Sequence, residues 1–254
     1  MKMNESAIKI TRKEKPCLAA VKNEKANANK YDIVYFVKES TKNEELRYSL
    51  RTLKNFPHNK VYFYGGCPNG LSPDVHIRVN QDQPTKWANI FKMFKLACVN
   101  PDITDNFWLF NDDFFIMKPI KEEPNYYEGD LYKRVVTLED SHNGITPYSQ
   151  QLRYTLQELE GMGCETKNYA IHLPMLINKT KGQELCNIIN GPMIRCVYGN
   201  YFKIGGKNHR DCKIDSVKKL YTNGEYLSTN DKSFNGKVGE QIRNMFPDKC
   251  EYEM

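Results

Sequence analysis

Apolar runs and amphipathic stretches alternate along the first half of the chain. The apolar residues 31–37, 60–64 and 75–79 are typical of buried strands. Between the first two runs, Thr41 and Glu44 fit a capping box that opens a helix, with apolar residues at helical spacing at Leu46, Leu50 and Leu53. A second predicted helix has one apolar face, formed by Trp87, Ile90, Phe91, Phe94 and Ala97. This alternation predicts an α/β fold with a mostly parallel sheet and helices on its faces.

A polar triplet, Asn111, Asp112 and Asp113, interrupts the apolar residues 107–116, which read FWLFNDDFFI. Apolar runs of this composition are buried in sheets, whereas carboxylates are buried only where their charge is satisfied. One interpretation is a solvated hairpin turn, because Asn and Asp favour turns. The other is a cation site. Mg²⁺ or Mn²⁺ bound to a diphosphate takes hard oxygen ligands, and parallel sheets bind ligands beyond the carboxyl ends of their strands.

Two blocks of the sequence resemble a known enzyme family. Residues 43–51 (NEELRYSLR) and 107–115 (FWLFNDDFF) resemble blocks of the Stealth sugar-phosphate transferases and of related nucleotide-sugar glycosyltransferases of GT-A type. Weaker similarities lie at residues 172–174, 195–200 and 227–231. The resemblance covers about residues 31–252. It implies one GT-A-like domain over residues 31–254, with a Rossmann-like mixed sheet flanked by helices and an elaborated C-terminal half.

The resemblance also implies a metal site and a donor site. The usual Asp-x-Asp of GT-A enzymes stands here as Asn111, Asp112 and Asp113, so Asp113 is the first predicted ligand of Mn²⁺ or Mg²⁺. His172 is the second, because GT-A enzymes often add a C-terminal histidine and neutral imidazole binds Mn²⁺. From the residues alone, His172 in its strand-like run has a core role as the alternative. The predicted donor contacts are Lys38, Arg47, Arg51, Lys86, Asn89 and Asn111.

An inverting transfer needs a carboxylate that takes the proton of the acceptor hydroxyl. Asp211 is the first candidate for this base, and Asp112 is the second residue assigned to catalysis. The remaining candidates are Glu139, Asp140 and Asp231. Asp211 lies among His209, Arg210 and Lys213, and a plain charged loop is the alternative interpretation of that cluster.

The predicted function is the divalent-metal-dependent transfer of a sugar from a nucleotide-sugar to an acceptor hydroxyl. One alternative keeps the donor site but transfers a sugar phosphate, as the Stealth family does in capsule synthesis. Another alternative, from a different class, is a non-catalytic nucleic-acid-binding protein, which requires basic residues spread over one face.

The net charge of +6 is concentrated near the N-terminus, where residues 1–30 hold eight Lys and Arg against three Glu. This basic arm predicts a polyanionic acceptor, with hydroxyl-bearing modified DNA of the bacteriophage kind ahead of an anionic glycan. A solvated tail is the alternative. The sequence shows neither an apolar stretch of membrane-spanning length nor the apolar core of a signal peptide. We therefore expect a cytoplasmic protein, in the host cytoplasm if the gene is a phage gene.

Overall fold

The centre of the fold is a mixed sheet of six strands. The computed structural model describes residues 10–12, 31–121, 125–191 and 193–254. In spatial order the strands are β1 (Ile10–Arg12), β4 (Val75–Ile77), β3 (Val61–Gly65), β2 (Asp32–Val37), β5 (Asn106–Phe110) and β8 (Met175–Asn178). The inner four are parallel, and β1 and β8 are antiparallel to their neighbours. The predicted α/β class is confirmed, and the arrangement is compatible with a Rossmann-like fold.

The described helices flank this sheet and its C-terminal extension. They are α1 (Glu44–Thr52), α2 (Lys86–Val99), α3 (Leu131–Ser141), α4 (Pro147–Gly161), α5 (Lys179–Ile188), α6 (Ile194–Tyr201), α7 (Asp231–Phe234) and α8 (Lys237–Met245). Helix α1 connects β2 to β3 and continues into a 3₁₀ turn, Leu53–Asn55, whereas α2 connects β4 to β5. Within the described ranges, no helix combines the length and the apolar character that a membrane crossing needs.

Both faces of the sheet are buried, which explains the continuous apolar runs of the inner strands. Successive strand residues point to opposite faces. Val34, Tyr62 and Leu109 pack with α2 and α5 on one face, whereas Tyr35 and Phe110 pack with α1 on the other. The strands predicted at residues 31–37, 60–64 and 75–79 lie within two residues of the observed bounds.

Helix α1 begins two residues later than a capping box at Thr41 predicts, so that prediction is wrong. Asn43 is the N-cap, and its side chain accepts a hydrogen bond of 2.9 Å from the backbone N–H of Leu46. Asn is among the strongest N-cap residues because its short side chain reaches this N–H. The other end of the same side chain is thereby free to face the loop that follows β5.

The strand order reverses between β2 and β5. The chain passes from β2 through β3 to β4 in one direction, and α2 then returns it to β5 on the other side of β2. The loops after β2 and β5 consequently diverge, and a crevice opens at the carboxyl ends of these two strands.

Two small sheets fold the C-terminal half against this crevice. β6 (Phe114–Ile116) pairs with β10 (Tyr226–Ser228), and β7 (Tyr126–Tyr127) pairs with β9 (Lys207–Asn208). The partner of β6 is β10 and not β5, so the hairpin interpretation of residues 111–113 is wrong. The register places Ser228 opposite Phe114, next to Asp113.

A C-terminal clamp fixes the far end of α1. Arg51 donates to both carboxylate oxygens of Glu253, at 2.7 and 2.9 Å, and to the backbone carbonyls of Phe246 and Pro247. Arg47 donates to the same carboxylate at 2.9 Å. Burial acts to raise the pKa of Glu253, but the hydrogen bonds from Arg51 and Arg47 outweigh it and lower this pKa to about 2.

Most of the predicted basic arm cannot be compared with the structure. Residues 1–9 and 13–30 lie outside the described residues. Residues 10–12 form the edge strand β1, which pairs with β4.

Replacing Arg51 with methionine is expected to lower the free energy of unfolding by about 3–5 kcal/mol, because the buried Glu253 carboxylate loses its main partner. Denaturant titration measures the change. Arg78→Met is the control: Arg78 lies exposed, 3.6 Å from Glu39, and its removal should cost less than about 1 kcal/mol. Equal losses in the two variants would contradict the role of the clamp.

Candidate functional site

A cavity of about 670 Å³ lies at the carboxyl ends of β2 and β5. One part of its wall is apolar and comes mainly from Phe36, Trp87, Ile90, Met93, Ile171 and Ile194. Charged and polar groups in the wall come from Lys38, Asn111, Asp112, Asp113, His172, Arg195 and Lys213. The size lies within the usual range for small-molecule sites, and the position is the switch point of the sheet.

The cavity brings together seven of the predicted site residues. They are Lys38, Lys86, Asn89, Asn111, Asp112, Asp113 and His172. Arg47 and Arg51 are not among them, since both side chains turn to Glu253 in the C-terminal clamp. Their prediction as donor contacts is corrected by this geometry. The arginines follow β2 closely in sequence, but they lie on the part of α1 that faces the C-terminal residues.

Asp113 has one satisfied and one unsatisfied oxygen. Its Oδ2 accepts hydrogen bonds from Lys213 Nζ and from the hydroxyl of Ser228, each at 3.1 Å. Its Oδ1 is buried and accepts no hydrogen bond from any residue that the structure describes. A buried carboxylate oxygen without a partner is costly, so this atom is poised to accept a donor or a cation.

His172 faces the same cavity with a fixed tautomer. Its Nδ1 lies 2.8 Å from Asp211 Oδ2 and 3.1 Å from Oδ1. Because an ionised carboxylate only accepts, Nδ1 carries the proton and Nε2 keeps its lone pair. Burial acts to raise the pKa of Asp211, but the hydrogen bonds that it accepts from the side chain and backbone of His172 and from the backbone of Lys213 hold it below the ordinary value. Carboxylates hold metal-ligating histidines in this manner.

The strand-like run around His172 is shorter than its composition predicts. β8 begins only at Met175, after Pro174, which has no N–H to donate to a sheet. The backbone N–H of His172 instead donates to Asp211 Oδ1 at 3.1 Å. The departure from the sheet allows the imidazole to line the cavity rather than the core.

Asp112 and Glu45 add two further carboxyl groups beside Asp113. Asn43 Nδ2 donates to Asp112 Oδ2 at 2.7 Å, which joins the β2–α1 loop to the loop after β5. Burial and the charge of Asp113 raise the pKa of Asp112 to about 6. Burial, together with the charges of Asp113 and Asp112, raises the pKa of Glu45 to about 8, although a hydrogen bond from Thr229 opposes this shift.

Arg195 holds the other side of the acidic loop. Its guanidinium donates to the carbonyls of Leu173, at 2.6 Å, and Leu109, at 3.1 Å, and to Asn111 Oδ1, at 3.0 Å. It also lies 4.9 Å from the centroid of the Phe114 ring. Burial lowers the pKa of Arg195 to about 10, so it is still a cation at neutral pH. Asn111 therefore serves as an acceptor for Arg195.

The start of α2 forms one side of the cavity. Trp87 is half-buried in the wall, and Lys86 Nζ lies 4.8 Å from the centroid of its ring. Asn89 Oδ1 accepts from the backbone N–H of Gln83, and its Nδ2 donates to the carbonyls of Gln83 and Thr85. Asn89 thus fixes the loop before α2, while Trp87 offers a flat surface to a ligand.

The remaining acidic candidates do not line the cavity, although Asp231 lies close enough to Glu45 and Asp112 to help raise the pKa of both. Glu139 pairs with Arg153 of α4, and Asp231 opens α7. Neither they nor Asp140 line the cavity.

Lys213, Arg195, Glu45 and Ser228 complete the site, and sequence reasoning assigned no role to any of them. Sequence adjacency to Asp211 was the one signal that could have singled out Lys213. The other three reach the site through long-range contacts of α1, α6 and β10.

The protein side chains alone cannot complete the coordination shell of a metal ion here, so a bound phosphate and water would have to supply the remaining ligands. Within the described part of the chain, no three His, Cys, Asp or Glu side chains form a group able to hold an ion. Mg²⁺ in nucleotide sites commonly takes only one or two protein ligands, and phosphates and waters complete its shell. The unpartnered Asp113 Oδ1 and the lone pair of His172 Nε2 fit that smaller requirement.

Comparison with known proteins finds no matching family model and no matching curated protein.

Asp112→Asn is expected to stabilise the protein at neutral pH. The pKa of Asp112 is raised from 3.8 to about 6 on folding, so the native state binds the extra proton between these values and wild-type stability falls as pH rises through them. The amide cannot ionise, so its advantage should grow to about 2–3 kcal/mol above that window. Denaturant titrations at about pH 4 and about pH 7.5 measure it.

Asp248→Asn, at an exposed carboxylate, is the control and should show little change. An Asp112→Asn advantage that is absent at neutral pH, or equal at both pH values, would show that Asp112 ionises without cost.

Proposed function

We propose that this protein is a GT-A-like transferase that moves a sugar from a nucleotide-sugar to an acceptor hydroxyl with the help of a divalent cation. The observation that carries the proposal is the cavity at the switch point. Aromatic and apolar side chains line this cavity together with carboxylates, cations and an oriented histidine. A nucleotide-sugar has the matching polarity, with a flat base at one end and a diphosphate at the other.

The proposed donor pose follows from these two ends. The base packs on Trp87, which is half-buried in the wall. The diphosphate points towards Asp113 and His172, and its charge is attracted by Lys38 and Lys213, which also line the cavity. Arg195 maintains the shape of this part of the cavity because its hydrogen bonds hold the loop after β5 and residues 171–173 together.

Asp113 and His172 are the residues that would hold Mn²⁺ or Mg²⁺. A bound divalent cation stabilises the negative charge that develops on a leaving diphosphate. Asp211 acts through His172 because it keeps the Nε2 lone pair directed at the site. In this proposal Asp211 is a positioning residue, which revises its sequence-based role as the base.

Asp112 is the proposed general base for the acceptor hydroxyl. It lines the cavity, and burial raises its pKa to about 6. A carboxylate with that pKa is ionised at neutral pH and is a stronger base than an ordinary aspartate. Its contact with Asn43 keeps it beside the donor's polar end.

The acceptor is proposed to be a polyanion, either modified DNA or an anionic glycan, because of the basic residues near the N-terminus. Acceptor affinity that does not fall with added salt would exclude this class.

Asp113→Asn is expected to abolish transfer and Mn²⁺-dependent donor binding while the fold persists, because the amide keeps the shape but removes the anionic ligand. A panel of nucleotide-sugars is screened with Mn²⁺ by thermal stabilisation, and hits are measured by calorimetry and product analysis. Release of a nucleoside diphosphate identifies sugar transfer, whereas a nucleoside monophosphate identifies sugar-phosphate transfer.

Asp248→Asn is the matched control and should leave binding unchanged. Near-normal donor binding by a folded Asp113→Asn protein would remove the metal hypothesis, and a panel without hits would remove the donor class.

Asp211→Asn separates positioning from base catalysis. As a positioning residue behind His172, its loss should weaken Mn²⁺ affinity roughly 10- to 100-fold. As the base, its loss should lower the turnover rate and leave Mn²⁺ affinity unchanged. Calorimetric titration with Mn²⁺ in the presence of the donor distinguishes the two outcomes.

A further inference from the structure

Lys213 places its ammonium between the two proposed metal ligands. Its Nζ lies 3.1 Å from Asp113 Oδ2 and 3.2 Å from His172 Nε2. The side chain is about one quarter exposed, at 26%. The same two groups that would coordinate a divalent ion are therefore engaged by a monovalent cation of the protein itself.

The position of Lys213 follows from the backbone around it. Lys213 forms a parallel bridge with Ser228 of β10, and the next N–H, from Ile214, donates to the Ser228 carbonyl at 2.8 Å. The backbone N–H of Lys213 lies 3.3 Å from Asp211 Oδ1. The segment 211–213 thus orients His172 through Asp211 and also places the Lys213 ammonium beside Asp113.

Occupation by Lys213 and occupation by a metal ion exclude one another. A divalent ion binds imidazole nitrogen at about 2.0–2.2 Å, and His172 Nε2 has one lone pair, which now faces the ammonium at 3.2 Å. A divalent cation and an ammonium held that close also repel one another with little solvent between them. The ammonium must therefore turn away before an ion enters.

Lys213, unlike Arg195, is able to leave. Arg195 is fixed by hydrogen bonds to the carbonyls of Leu109, Ile171 and Leu173 and to Asn111. Lys213 Nζ contacts only Asp113 and His172 among the hydrogen bonds of the described residues, and its flexible stem lines the donor cavity. A diphosphate in that cavity offers the ammonium an alternative anion.

We propose that Lys213 is a tethered counter-ion that occupies the divalent-cation position in the donor-free protein and transfers to the donor's diphosphate when metal and donor bind. This inference rests on the proposed function. Its consequence is an order of binding: metal alone binds weakly, and metal with a diphosphate binds well. The charge of Asp113 is neutralised in both states.

Direct Mn²⁺ binding tests this competition without any measurement of activity. Electron paramagnetic resonance of free Mn²⁺ gives the affinity of the donor-free wild type, Lys213→Met and the control Lys218→Met, whose lysine is exposed. We expect Lys213→Met to bind Mn²⁺ at least tenfold more tightly than wild type, and Lys218→Met to match wild type. Adding Asp113→Asn to Lys213→Met should abolish the gain, because the gained site contains Asp113.

Lys213→Gln provides a second neutral variant with a polar end, in case Lys213→Met fails to fold. Unchanged or weaker Mn²⁺ binding in a folded neutral variant overturns the proposal, and so does the absence of Mn²⁺ binding in all variants. If Lys213→Met gains Mn²⁺ affinity but no nucleotide-sugar of the panel binds the wild type, the counter-ion is supported and the transferase is rejected. A nucleotide-sugar that binds and reacts without that gain supports the transferase and rejects the counter-ion.

Discussion

Charge compensation at the carboxyl end of β5 is the constraint on which the site depends. Burial and the charges of neighbouring carboxylates raise the pKa of both Glu45 and Asp112, which lie beside Asp113. The raised pKa of Glu45, about 8, lets this carboxyl keep its proton at neutral pH, and Lys213 and Arg195 supply positive charge beside Asp113. These cations come from segments about one hundred residues further along the chain, so compensation also ties the C-terminal half to the sheet.

Helix α1 connects this group of carboxylates to the C-terminal clamp. Its N-terminal end carries Asn43, which caps the helix with Oδ1 and holds Asp112 with Nδ2. Its C-terminal end carries Arg51, which is clamped to Glu253. A buried carboxyl with a raised pKa destabilises the native state at neutral pH, whereas the clamp stabilises it. The fold thus tolerates an unfavourable arrangement of charge where a ligand is expected, and offsets it at the opposite end of the same helix.

The sequence predicted the features that depend on neighbouring residues. The apolar runs of β2, β3 and β5 and the apolar face of α2 are local patterns, as is the acidic triplet at the end of a strand. Arg51 was misjudged because its partner, Glu253, is 202 residues away. Lys213 was overlooked as a partner of Asp113 for the same reason, since β10 brings them together across 100 residues. Pairings of this kind are set by the tertiary fold, and no local spacing encodes them.

The central claim is that the cavity binds a nucleotide-activated donor at Asp113 together with a divalent cation. Anomalous diffraction from Mn²⁺, in crystals grown with the nucleotide-sugar that stabilises the protein most, tests this directly. The account predicts one strong Mn²⁺ peak beside Asp113 and His172, with the base on Trp87 and the Lys213 ammonium turned to the diphosphate. A donor bound elsewhere, or a bound donor without a Mn²⁺ peak at Asp113, would contradict it.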